Sequence, residues 1–341
     1  MASGLLPCTA ARNLSRLLHH VPRRTTLLRR LLRQHSTTAT APSSVSADEM
    51  THFASLASSW WDPLGPSRIL HLMNPLRHVF IGSCLADEQP QPQPVRNDRN
   101  PGRSYLDVGC GGGIFAESLA RTIPLLPDSS PSTQTDASSL LAIDPSPTMI
   151  EIAQSHARQD PTLHAHLQSG TFTYRNSTLE ALLLPASPTS TSTSTSTSTD
   201  TDSTTAATPP RQFDMITAFE VLEHVDVSTS SSPRHFVQAC MRLLRPGGWL
   251  VGSTIARTWP AWAVHQVLAE APWPVGVVPR GTHDWAKFVD VRELRGWAEI
   301  EGVELARWRC VGAVYVPGVG WRLVAGLEEW GNYFWGVQKA W

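Results

Sequence analysis

Tyr105-Leu-Asp-Val-Gly-Cys-Gly-Gly-Gly-Ile-Phe115 decides how the rest of the chain is read. A short apolar run ends in Asp107, four glycines fill five positions, and an alanine- and leucine-bearing segment follows. That order predicts a buried strand, a tight turn and the start of a helix. Gly109, Gly111 and Gly113 carry no Cβ, so the turn can take positive φ and a ligand can approach the backbone. The turn also delivers that ligand to a helix N-terminus, with its free N–H groups and partial positive charge.

The glycine spacing selects among ligands. Gly-x-Gly-x-x-Gly would favour a dinucleotide, its pyrophosphate on the helix end. Here the spacing is Gly109-x-Gly111-x-Gly113, with Asp107 two residues before the first glycine. This form resembles the first motif of class I S-adenosylmethionine (AdoMet) methyltransferases. AdoMet has no phosphate, so the glycines would serve close backbone approach instead of anion binding. A glycine-rich turn without a ligand is the plainer alternative.

Working outward, Asp48 to Ser59 has helical spacing, with Met50, Phe53, Leu56 and Ala57 on one side. It runs into Trp60-Trp61-Asp62. Asn74-Pro75 reads as the N-cap and first turn of a second, short helix that carries Arg77. Arg77 is either a surface ion-pair partner or a cation for the carboxylate of AdoMet's methionine moiety. The helix after the glycines is expected to reach about Thr122. A second strand, Ser139 to Ile143, ends at Asp144. An acid there would hold ribose hydroxyls, cap the helix Thr148–Arg158, or both. Further strands are expected at Thr171–Tyr174, Phe213–Phe219 and Trp249–Thr254, then about Leu305–Val311 and Gly331–Val337. Helices are expected at Pro233–Leu244, stopped by Pro246-Gly247-Gly248, and at Val291–Glu299. Strands alternating with helical crossovers predict an α/β fold: a doubly wound, mostly parallel, seven-stranded sheet forming a single domain over 48–341. Ligands then sit at the carboxyl ends of the strands, where Gly109, Asp144 and Phe219 to His224 fall.

Composition bounds the rest. Residues 1–35 hold seven arginines and no acid, interleaved with leucine pairs, the pattern of a mitochondrial transit peptide, with a linker over 36–47. Without that segment the formal charge falls from −1 to −8, which argues against nucleic-acid binding. Cys8, Cys84, Cys110, Cys240 and Cys310 lack metal-site spacing and suit free thiols in a reducing compartment. Residues 87–103, 124–139 and 187–208 read as disordered insertions; the last is almost wholly Ser and Thr. The stretch 258–280 is apolar and tryptophan-rich and reads as core, a substrate lid or a membrane-contact element.

Glu220, Glu223 and His224 follow the fourth strand. On a helical turn the three would share a face. Two carboxylates and an imidazole make a divalent-cation set, leaning to Mg²⁺ with Zn²⁺ admitted by the histidine. The plainer alternative is acids stabilising a helix start beside a packed histidine. At this point the chain resembles the ubiquinone-biosynthesis O-methyltransferase family of mitochondria and bacteria. The matching pieces are Trp60-Trp61-Asp62, Asn74-Pro75-Leu76-Arg77, Leu106 to Gly113, Glu220-Val-Leu-Glu-His-Val225, Pro246-Gly247-Gly248, Pro279-Arg-Gly-Thr-His-Asp284 and Asn332-Tyr333. They run in order from about residue 50 to the end, and the Arg-Gly-Thr-His-Asp block is the most family-specific. The resemblance implies that Arg77, Gly109, Asp144 and Phe219 contact AdoMet, with Gly111 in the same turn. Family members usually have Met or Leu at the Phe219 position. It implies that Glu220, Glu223 and His224 hold Mg²⁺. It further implies a polyprenylated phenol or quinol substrate, a multi-subunit ubiquinone-synthesis complex, and peripheral attachment to the matrix side of the mitochondrial inner membrane. His224, or a metal-held water, is the candidate catalytic base. An NAD-linked oxidoreductase and a non-catalytic AdoMet-binding scaffold are the competing readings.

Overall fold

The computed structural model describes residues 44–87, 102–125, 134–184, 211–226, 232–270, 284–299, 303–316 and 318–341. The expected transit segment, the Ser/Thr tract 187–208, most of the insertion 87–103 and the stretch 271–283 lie outside the described residues. Among the described residues no helix is long and apolar enough to cross a membrane, and no disulfide joins the cysteines.

The central sheet is built from β1 (Arg103–Val108), β2 (Ala137–Asp144), β3 (Phe172–Asn176), β4 (Phe213–Phe219), β5 (Leu244–Ile255), β6 (Leu305–Val316), β7 (Gly320–Val324) and β8 (Asn332–Lys339). Their order across the sheet is β3-β2-β1-β4-β5-β8-β6-β7. The first five are parallel; β8 runs antiparallel between β5 and β6. The doubly wound α/β fold is as expected, but the sheet has eight strands, not seven. The additional strand, β7, folds back antiparallel on β6. Gly318 and Gly320 take φ of 78° and 88°, which lets the chain reverse tightly enough to pair Val316 with Gly320.

Helices α1 (Ala47–Leu56), α2 (Arg68–Ala86), α3 (Ile114–Ala120), α4 (Pro147–Ala157), α5 (Pro161–Ser169), α6 (Leu179–Leu183) and α7 (Pro233–Leu243) follow in chain order, then α8 (Trp259–Trp262), continued as a π-helical stretch over Ala263–Ala269, and α9 (Val291–Ala298). One apolar layer joins α6, α7 and α9 to the sheet; a second joins α2, α3 and α5. All seven residues of β4 are buried, the pattern of a strand covered on both faces.

Several boundaries differ from expectation. Asn74-Pro75 does not open a short helix; Pro75 lies inside the 19-residue α2. A mid-helix proline costs about 3 kcal/mol. Burial of Met73, Phe80 and Ile81 on the same helix offsets it, at about 1.5–3 kcal/mol per side chain. Helix α7 passes directly into β5, so Pro246-Gly247-Gly248 is not a helix stop. It lies where the pairing to β4 slips between Phe213/Leu244 and Met215/Trp249, with Gly247 at φ 75°. The end of the insertion 124–139 is packed: Thr135 is buried, its carbonyl accepts from the Tyr105 hydroxyl, and Ala137 to Ser139 belong to β2. Arg103, assigned to the insertion 87–103, begins β1. The end of the 36–47 linker is also ordered. Val45 bridges Val225, and Ser46 caps α1. Helices α5 and α6 were missed, although Asp160-Pro161 and Gly170 are legitimate start and stop signals for α5.

Candidate active site

The chain leaves β1 at Val108 and turns through Gly109 (φ 70°), Gly111 (φ 52°) and Gly113 (φ 91°) into α3. Such backbone costs an L-residue with a Cβ about 1–2 kcal/mol, which is why glycine stands there. Asp144 closes the turn from the tip of β2. Its Oδ2 accepts from the Gly111 N–H at 2.9 Å and its Oδ1 from the Ser146 N–H at 2.8 Å. Ser146, not Asp144, caps α4, so the capping role considered for Asp144 is not realised.

Arg77 reaches this turn from α2. It is 3 % exposed, donates to Asn74 Oδ1 at 2.9 Å, and lies 5.7 and 5.1 Å from the ring centres of Phe115 and Phe219. Burial pulls its pKa down to about 10 while Glu220 and Asp107 hold it up, so it remains a cation at neutral pH. Burial excludes the surface ion-pair role. Asp107 is also buried and accepts from the Thr217 hydroxyl at 2.7 Å. Arg77 Nε and Asp107 Oδ2 have no hydrogen-bond partner among the described residues. A buried cation and a buried carboxyl, each with one unmatched atom beside a glycine turn, fit a zwitterionic ligand end.

Burial pushes Asp107 up to about 7 from 3.8, opposed by Thr217 and Arg77. Between these values the unfolded carboxyl is ionised while the folded one keeps its proton, so this group removes stability as pH rises through that window. Asp107→Asn keeps an acceptor for Thr217. It should therefore flatten the fall in Tm between about pH 4 and 7, as followed by thermal melts of the ligand-free chain.

The second half of the site follows β4. Glu220 has φ of 55°, an uncommon backbone for a residue with a side chain. Leu222–His224 is a single 3-10 turn. The shared helical face expected for Glu220, Glu223 and His224 therefore does not form. All three nevertheless line one cavity of about 740 Å³, together with Arg77, Asp107, Gly109, Gly111, Asp144 and Phe219. Glu220 accepts from Ser253 Oγ at 2.6 Å and Asn332 Nδ2 at 3.1 Å. Buried Glu223 accepts from Thr254 Oγ1 at 2.7 Å. Burial, then the neighbouring Glu220 charge, holds the Glu223 pKa well above the usual carboxylate range. His224 is turned the other way: its Nδ1 lies 2.8 Å from Glu49 Oε2, and Phe53 of α1 stands edge-on at 4.8 Å. Burial opposes its charging, but Glu49, Glu223 and Glu220 together leave its pKa raised. Glu49 also pairs with Lys287, and the two partners lower its pKa to about 2 against the effect of burial.

The donor chemistry suits a divalent cation, since a positive ion would favour the charged form of Glu223 that burial and then the Glu220 charge disfavour. Among the described residues, however, no three His, Cys, Asp or Glu side chains converge as a metal-binding group. Each carboxylate is drawn to a different partner on β5 or β8. Glu49, Lys287, Ser253 and Thr254 were missed. Asn332 was seen only as part of a family motif, although Glu220 and Asn332 lie 112 residues apart in sequence.

A methyltransferase-domain family profile matches residues 86–306. The mitochondrial ubiquinone biosynthesis O-methyltransferase of Schizosaccharomyces pombe is 35 % identical over 267 residues, covering 78 % of this chain and 75 % of that one. The mitochondrial protein of the same name from Candida albicans is 31 % identical over 330 residues, covering 87 % and 86 %. A Methylobacterium ubiquinone biosynthesis O-methyltransferase is 31 % identical over 274 residues, covering 80 % and 88 %. With the glycine turn, the Asp144 grip and the Glu-x-x-Glu-His segment on one cavity, the chain belongs to the ubiquinone biosynthesis O-methyltransferase family.

Proposed function

We propose that this chain methylates a ring hydroxyl of polyprenylated catechol-type intermediates of ubiquinone biosynthesis. The observation that carries the reading is the single cavity shared by the glycine turn and the Glu220–Glu223–His224 segment. When bound, AdoMet supplies a methyl group made electrophilic by its sulfonium. Arg77 holds its carboxylate and Asp107 its ammonium. Gly109 and Gly111 admit it to the backbone, Asp144 receives the ribose hydroxyls, and Phe219 packs against it. A cavity that aligned the acceptor oxygen with the methyl donor would contribute up to about 7–11 kcal/mol.

A phenol is a poor nucleophile until it loses its proton. His224 Nε2 is the ring nitrogen that Glu49 leaves open, and we assign it as the proton acceptor. Glu220 and Glu223 are the side chains that would hold Mg²⁺ or a similar cation, with His224 a third ligand only where its Nε2 is not the proton acceptor, and the cation would supply a lowered pKa at the acceptor hydroxyl. Val264 and Leu268 line the same cavity and are half-exposed, which supports exit of the polyprenyl tail past 258–270. Trp259, 72 % exposed on the same element, supports peripheral contact with the matrix face of the mitochondrial inner membrane. Mitochondrial location accords with the names of the two yeast relatives. Membership of a multi-subunit ubiquinone-synthesis assembly belongs to the same reading.

The test gives the full chain methyl-labelled AdoMet and a demethylated polyprenylated quinol in mixed micelles, with Mg²⁺ or with EDTA. Label on the ring oxygen, stimulated by Mg²⁺, is expected. Folded protein that binds S-adenosylhomocysteine (SAH) yet transfers no label to a range of quinols is a scaffold. Equal turnover in EDTA removes the cation from the reading.

A further inference from the structure

The tandem Trp60-Trp61 has no part in the chemistry above, yet both indoles lie on the glycine turn. Trp61 Nε1 donates to the Gly112 carbonyl at 2.9 Å. The N–H at the other end of the same peptide unit, on Gly113, donates to the Cys110 carbonyl at 2.9 Å. That peptide plane is therefore pinned at both ends. Trp60, 6 % exposed, packs against the turn: a Cβ on Gly111 would stand 2.8 Å from its Cζ2, and one on Gly112 2.7 Å from its Nε1.

Trp61 is itself anchored. Its ring stacks on His156 of α4, with centroids 3.5 Å apart and planes 5° from parallel. His156 Nδ1 lies 2.8 Å from Oε1 of Glu117, which is fully buried in the first turn of α3, the helix the glycines lead into. Arg121 holds the other Glu117 oxygen at 2.9 Å. The chain Glu117–His156–Trp61–Gly112 thus ties the turn to helices α3 and α4.

We infer that Trp60 and Trp61 clamp the glycine turn in its binding conformation, and that Trp61 is a positioning residue for AdoMet. The physical reason is preorganisation. Three positive-φ glycines are free to wander in the absence of a constraint, and a ligand that must order them loses affinity. The proposal rests on the reading of the turn as the AdoMet site.

Trp61→Phe keeps an aromatic ring for His156 and deletes the N–H. Loss of that hydrogen bond should raise the SAH dissociation constant about 3–10-fold. The KM for AdoMet should rise in step, with kcat and acceptor KM unchanged. In the ligand-free chain, amide exchange at Gly111 to Gly113 should quicken about 3–10-fold, while exchange in β4 stays the same. Unchanged SAH affinity together with unchanged turn exchange would overturn the clamp. So would a uniform rise in exchange with an equal rise in acceptor KM, which marks general destabilisation. If wild-type chain binds no SAH while turn exchange still responds to Trp61→Phe, the clamp stands and the AdoMet reading falls.

Discussion

His224→Gln is expected to lower kcat by about 10²–10⁴-fold, the usual worth of a placed general base, while SAH still binds. Glutamine preserves a polar side chain beside Glu49 but cannot take up a proton at neutral pH. Binding should survive because the groups proposed to contact AdoMet, Arg77, Asp144 and the glycine turn, sit on other elements of the cavity. The pH profile gives the mechanism its own signature. His224 is raised above its ordinary 6.5 by Glu49, Glu223 and Glu220, against the effect of burial. A base works only when deprotonated, so wild-type kcat should climb with pH through a value above 6.5. The variant should lack that limb. A variant that keeps kcat within about threefold of wild type would remove His224 from proton transfer.

Gly113→Ala is expected to abolish useful AdoMet binding, weakening SAH by at least about 100-fold, or roughly 3 kcal/mol. Two costs add. At φ 91° an alanine pays the left-handed backbone penalty of about 1–2 kcal/mol. Its Cβ would also overlap the Tyr174 hydroxyl and stand 3.1 Å from Ala153 Cβ, so α4 and β3 must yield or the turn must open. Thermal melts should show Tm lowered by several degrees. The two costs separate cleanly. Tyr174 Oη is buried with no hydrogen-bond partner among the described residues, so Tyr174→Phe alone should be nearly neutral. The double variant Gly113→Ala/Tyr174→Phe should regain part of the Tm but not the SAH affinity, because the backbone penalty remains. Full recovery of binding in the double variant would show that steric overlap alone mattered.

The successful sequence readings share a cause. Strand β4 was placed residue for residue because a strand buried on both faces reads as a continuous apolar run. The glycine turn was placed because positive φ has a local chemical signature. The failures also share one. Asn74-Pro75 reads locally as a helix start, and only the buried face of α2, packed across its whole length, overrides it. Pro246-Gly247-Gly248 reads locally as a stop, but pairing of β5 with β4 absorbs it in a register slip. Thr135 looks like part of a polar insertion until Tyr105 claims its carbonyl. Helical spacing promised a shared face for Glu220, Glu223 and His224. The left-handed Glu220 and the partners on β5, β8 and α1 placed each side chain separately.

From its own residue order the chain determines a doubly wound α/β sheet, the glycine turn, the acid at the end of β2 and the Glu-x-x-Glu-His segment, because backbone preference and hydrophobic period act over a few neighbours. Tertiary structure alone decides that Glu49 orients His224 from 175 residues away and that Trp61 holds Gly112 from 51 away. It alone decides that Arg77 is a buried cation and that Asp107 is a buried carboxyl with one oxygen unmatched. Those outcomes depend on desolvation and charge pairing between distant segments, and neither exists until the sheet has brought the segments together.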